Sequence, residues 1–192
     1  MDELNLSTIR QSFANSVFTH KVQEIAAENQ GKKAFYIKIA NILIVFVVLV
    51  TLFFQTKFPQ IILLTYIGAG ITIGEIIFLI VQLTFSFDDK KLTHKNSALK
   101  FLGLRDNYRL LITDIMNGSI TKKELIARRD SLQNEYRIIC ELAPPTGKDE
   151  YNEAQKRLTT RGIVQGEEFT WSDEEIDRFL PEELRFKKKN KR

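Results

Sequence analysis

The sequence predicts an all-α membrane protein: a two-helix transmembrane hairpin with N- and C-terminal cytoplasmic helices. Three observations predict it. Residues 39–56 carry no charge, and residues 58–87 carry only one, Glu75. The short stretch "TKFP" at 56–59 separates the two runs. The rest of the 192-residue chain is highly charged and punctuated by helix-cap signatures, with apolar residues at helical spacing.

In chain order, Thr8-x-x-Gln11 offers a capping box. Ile9, Phe13, Val17, Val22, Ile25 and Ala26 then give one apolar face, so a helix is expected over about residues 8–29, with continuation toward span one after Gly31 as the alternative. Residues 39–56, extended back through Ala34, are long enough to cross a hydrocarbon core of about 30 Å at about 1.5 Å per residue. Pro59 suits the start of the second span. That span runs from about residue 60 into the low eighties, and the excess length is taken up by tilt or projection.

After the hairpin, Ala98, Phe101, Leu102, Tyr108, Leu111, Ile112 and Ile115 form the stripe of a long helix. Asn117-Gly118 ends it in a left-handed cap. Thr121-x-x-Glu124 opens the next helix, which carries Leu125, Leu132, Tyr136 and Ile139 and stops at Pro144-Pro145. A shorter helix follows over about 149–158, then the stretch "TTRGIVQGEEFT", with little sign of sheet. Ser172-x-x-Glu175 opens a last helix that stops near Pro181. The chain thus divides into an N-terminal amphipathic region (1–33), the hairpin (34–87, spans near 36–56 and 60–84), a helical region (88–160), and a C-terminal helix with a basic tail (161–192).

Gly68, Gly70 and Gly74 follow an apolar run, as in a dinucleotide-binding turn, and Asp88-Asp89 lie about where such a fold places its ribose-binding acid. The chain between Gly74 and Phe87 is too short for both the helix and the second strand that fold needs. The membrane reading fits the same residues. Steps of three and four through span two align Thr65, Gly68, Thr72, Glu75, Leu79, Gln82 and Ser86, a mostly small or polar stripe. Gly70 and Gly74 form a small-xxx-small pair for helix packing on a neighbouring face. Asn41, Val48, Thr51 and Gln55 are a weaker counterpart in span one. Glu75 sits about 22 Å along span two. A carboxylate facing lipid costs about 2.5–3.5 kcal/mol or more, so this face is expected to meet protein or water. Two readings stand: Glu75 reaches the inner lysines or sits protonated in a helix–helix contact, or it lines a conduit built by several copies.

Lys32, Lys33 and Lys38 precede span one, Lys90, Lys91 and Lys95 follow span two, and the turn holds only Lys57. The excess of basic residues on the outer flanks places both termini in the cytoplasm. The first apolar run begins too late, and lacks a cleavage site, to read as a signal peptide. The net charge of +4 is concentrated in the final "KKKNKR". This tail suits anionic headgroups, and no nucleic-acid partner is expected. The single cysteine, Cys140, fits a reducing compartment and is expected to be a small packed side chain. His20 and His94 read as isolated packed or surface histidines. No cofactor, metal cluster or catalytic constellation is apparent, so no enzymatic activity is expected.

The order of these pieces resembles the SLATT family, the two-transmembrane effectors of bacterial conflict systems. The likeness rests on the short-looped hairpin, then "LRDNYRLLITDIMNGSI", "RRDSLQNEYRIICELAPPTGKDEYNEAQKRL" and "WSDEEIDRFLPEELR". Its most telling residues are Tyr136 and Cys140, then Pro144, Pro145 and Tyr151. The resemblance implies an inner-membrane protein that oligomerises and forms a pore, or otherwise breaches the membrane, to limit phage spread by abortive infection. It also implies a nucleotide-signal system encoded nearby. The chain has no recognisable sensor domain, so a protein partner is expected to bring the signal. The rival reading is a membrane-anchored scaffold that recruits a partner through its cytoplasmic helices.

Overall fold

A computed structural model describes residues 3–159, 163–165 and 168–186. Among the described residues the secondary structure is helical apart from one small antiparallel hairpin. The elements are α1 (Glu3–Lys57), α2 (Ile62–Thr84), α3 (Phe87–Met116), α4 (Lys122–Leu142), α5 (Lys148–Leu158), β1 (Ile163–Gln165), β2 (Glu168–Thr170) and α6 (Asp173–Phe179). A single 3₁₀ turn, Glu182–Leu184, follows α6. Two compact units result: Met1–Ala27 with Thr93–Arg192, and Glu28–Leu92. The basic tail, residues 187–192, lies outside the described residues.

The first correction concerns α1. The sequence suggests an N-terminal helix over about residues 8–29 and leaves open whether it runs on toward span one; residues 3–57 form one helix that contributes to both units. Gly31 does not break it, because a helical glycine costs only about 1 kcal/mol relative to alanine. Thr8 is therefore inside the helix and caps nothing. Its hydroxyl donates back to the Leu4 carbonyl at 3.1 Å. Pro59 likewise lies in the turn between α1 and α2 rather than at a helix start.

In the first unit, the buried stripe of α1 (Leu6, Ile9, Phe13, Val17, Val22, Ile25) packs in one core with Phe101, Leu104, Tyr108, Leu111 and Ile112 of α3. Leu125 and Ile139 of α4, Ala154 of α5, and Trp171, Ile176 and Leu180 complete that core. The stop and start signals between these helices act as expected. Gly118 adopts φ +66 after α3, where a residue without Cβ is unstrained. Thr121 with Glu124, and Ser172 with Glu175, each make both bonds of a capping box. Residues 163–165 and 168–170 pair as a two-stranded hairpin, Val164 opposite Phe169. The sequence alone shows little sign of sheet in this stretch.

In the second unit, the end of α1 and α2 run antiparallel, with Gln55 bonded to Thr65 near the turn. Their outer surface is apolar and uncovered: Ile42, Phe46, Leu49, Phe53, Leu63 and Ile77 are all exposed. Side chains of this kind over two long helices need a hydrocarbon solvent. The hairpin is a membrane hairpin.

Candidate functional site

The seam of the hairpin gathers the polar residues of both spans. In α2 the residues turned toward α1 are Leu64, Gly68, Ile71, Glu75, Phe78 and Gln82, each at least partly buried. In α1 the matching set includes Asn41, Ile44, Val48, Thr51 and Gln55. The two helices approach closely at Gly68, where an added Cβ would lie 3.2 Å from Thr51 Cγ2. Gln55 Nε2 donates to Thr65 Oγ1 at 3.1 Å. These two contacts fix the register, which sets Glu75 against Ile44, Phe78 against Asn41, and Gln82 against Ile37.

Glu75 is only 7% exposed, and neither carboxylate oxygen has a hydrogen-bond partner. Asn41 Oδ1 and Gln82 Oε1 are in the same condition. Three residues of the sequence-predicted stripe, Gly68, Glu75 and Gln82, therefore meet in the seam. Thr65 and Thr72 lie at its exposed edge, and Thr72 donates to the Gly68 carbonyl at 2.8 Å. Gly70 and Gly74 face open space: a Cβ added at either position would meet nothing within 4 Å. Close packing inside this hairpin thus falls on Gly68. The charged flank is paired: Lys38 Nζ lies 2.7 Å from Asp88 Oδ2, with both side chains exposed.

The family-like motif of α4 and α5 has a packing role in the first unit. Tyr136 packs edge-on against Phe101 at 5.8 Å, and Tyr151 against Phe18 at 5.0 Å. The Pro144 carbonyl accepts from Gln23 Nε2 at 3.0 Å. Gln23 Oε1 in turn accepts from His94 Nδ1 at 2.7 Å. Burial holds the His94 pKa below its ordinary value, against the opposing pull of Glu150. His20 has a separate partner, the Ala98 carbonyl at 2.8 Å. Pro145 is exposed. Cys140 is exposed too, a correction to the packed side chain expected from its apolar neighbours. One residue along α4 turns the chain by about 100°, so while Ile139 is buried, Cys140 points away. The part of Cys140 nearest Tyr136 is still desolvated enough to raise the thiol pKa, which disfavours a reactive thiolate.

Sequence reasoning missed the strongest polar cluster of this unit. Arg10 is fully buried. It donates to Asp177 Oδ1 at 2.7 Å and to the Leu184 carbonyl at 3.4 Å, and its guanidinium stacks on Phe186 at 3.9 Å. Trp171 Nε1 donates to Asn15 Oδ1 at 2.7 Å, while Gln11 exchanges two bonds with the Trp171 backbone. The segment after β2 is thereby fastened to the first turns of α1. An arginine on an otherwise apolar helix face was the one available signal.

No curated protein and no solved structure matches the chain. A family model does: that of the SMODS and SLOG-associating 2TM effector domain family 4, over residues 6–175. That match spans most of the chain, from the first turns of α1 into α6, and includes the hairpin with its polar seam. The chain belongs to the SLATT family of two-transmembrane effector domains, as a member of family 4.

Proposed function

We propose that this protein is the membrane effector of a bacterial anti-phage system. On activation it oligomerises and opens or disrupts the inner membrane, causing abortive infection. Both termini lie in the cytoplasm, and a nucleotide-signal system or a protein partner encoded nearby supplies the trigger. The chain itself carries no catalytic activity. The family's association with SMODS and SLOG domains supports a conflict-system role. The observation that carries the reading is Glu75, a buried and unpartnered carboxylate between two membrane helices. An anchor gains nothing from it, since it costs about 2.5–3.5 kcal/mol or more at the centre of a span. Two helices enclose no water path. The conduit is therefore built by several copies, and the spans part so that Asn41, Glu75 and Gln82 face its lumen.

The test is inducible expression with the native neighbouring genes, followed with a membrane-potential dye. Wild type depolarises the cells, and Glu75→Ala depolarises them less while inserting to the same level. Equal depolarisation by both would remove Glu75 from the mechanism. A scaffold, the rival reading, holds the potential in every case.

A further inference from the structure

Among the described residues of Glu28–Leu92, five buried side-chain atoms lack a hydrogen-bond partner, and all five are acceptor oxygens. They belong to Gln30, Asn41, Glu75 (both oxygens) and Gln82. The nearby hydroxyl donors are already committed. Thr51 donates to the Val47 carbonyl, Thr72 to Gly68 and Thr84 to Ile80, each at 2.8 Å. These oxygens therefore meet neither a positive charge nor a hydrogen-bond donor, although the amides of Asn41 and Gln82 carry N–H groups of their own, and they stand in a row. By the register, Asn41 lies about one helical turn from Glu75, and Gln82 about one turn beyond that.

The row leads to an opening. A cavity of about 320 Å³ at the end of the hairpin is lined by Ile37, Gln82, Ser86, Asp88 and Asp89, among others. Ile37 and Gln82 share that lining, as the register requires. The mouth carries two carboxylates and Lys38, which is paired with Asp88.

We infer that Glu75, with the amide oxygen of Asn41 one turn away, forms an intramembrane site for one monovalent alkali cation, which enters through the cavity at Asp88 and Asp89 past the amide oxygen of Gln82. The donor set is oxygen only, which suits a hard ion. Glu75 is the only acidic residue in the seam. A monovalent ion neutralises its carboxylate, whereas a divalent ion would leave a net charge in low dielectric. A water molecule alone would satisfy the oxygens but leave the charge uncompensated, and a bound proton is the competing neutraliser, which the experiment separates by its response to pH alone. The site belongs to a single hairpin and stands whether or not the protein conducts, so its test is a binding measurement.

The full chain in lipid nanodiscs is treated with dicyclohexylcarbodiimide, which modifies carboxyl groups buried in apolar surroundings, and labelling of Glu75 is followed by mass spectrometry. Sodium or potassium should slow labelling about tenfold at about ten times the dissociation constant, and choline should not. Asn41→Leu and Gln82→Leu should each weaken that protection. Labelling that responds to pH alone, with no difference between alkali ions and choline, overturns the site. If Glu75 resists labelling in every salt, the unfolding temperature in the same nanodiscs decides. Alkali ions must raise it more for wild type than for Glu75→Gln, and equal shifts overturn the inference.

Discussion

Replacing Arg10 with alanine should release the segment after β2 from α1. The magnitude follows from the bonds that its guanidinium makes. Arg10 is fully buried, and its partner Asp177 retains 20% side-chain exposure. Breaking a buried ion pair costs about 3–5 kcal/mol, much of it from the charge left behind. Here the remaining carboxylate keeps some water and still accepts from the Phe186 amide at 3.3 Å. The loss therefore belongs at the low end, about 3 kcal/mol, including the stacking on Phe186. Trp171 is the only tryptophan, 2% exposed and bonded to Asn15, so its emission reports whether the segment is docked. In detergent, Arg10→Ala should shift that emission to the red at a lower denaturant concentration than in wild type. The double variant Arg10→Met with Asp177→Leu should recover much of the loss, because no charge is stranded. A midpoint unchanged in Arg10→Ala, or a double variant as unstable as the single, would refute the reasoning.

Three further outcomes are expected. The buried Tyr108 hydroxyl makes no hydrogen bond of good geometry, and desolvation, opposed by the nearby Ser12 hydroxyl, pushes its pKa up to about 12. Tyr108→Phe should be neutral or stabilising by up to about 1 kcal/mol in thermal unfolding, and a loss of that size would show that the hydroxyl is bonded. The pKa of His94 is lowered from 6.5 by burial, so below about pH 6.5 the unfolded chain takes up a proton that the folded chain resists. Stability should therefore fall as pH drops through that window, and fall less in His94→Gln; equal slopes would contradict the assignment. Finally, a Cβ at position 68 lies 3.2 Å from Thr51 Cγ2, an atom attached to Cβ as a cysteine Sγ is, so the two helices approach closely enough here for a disulfide. In a Cys140→Ser background, Thr51→Cys with Gly68→Cys should form a crosslink on oxidation. The crosslink should block ion flux from proteoliposomes until reduced, whereas undiminished flux would show that the spans need not part.

Signals confined to one turn of chain were legible. Thr121 with Glu124, Ser172 with Glu175, and Asn117-Gly118 each act within a few residues, and each ends or begins a helix as read. Thr8 failed because a capping pattern has meaning only at a helix start, and α1 already begins at Glu3. The strands at 163–165 and 168–170 are too short for alternation to register. The polar stripe of α2 was legible as a stripe. Which of its members face α1 depended on the close approach at Gly68, a property of two helices together. The Arg10–Asp177 bond joins residues 167 apart in sequence, and no local pattern announces such a pair.

The central claim is that the hairpin acts and does not merely anchor. The most direct measurement replaces residues 28–92 with an unrelated two-span hairpin in the native gene context, then scores phage protection and growth arrest. The account predicts that the chimera reaches the membrane but gives neither. Protection at the wild-type level would contradict it and make the helices outside the membrane the working part.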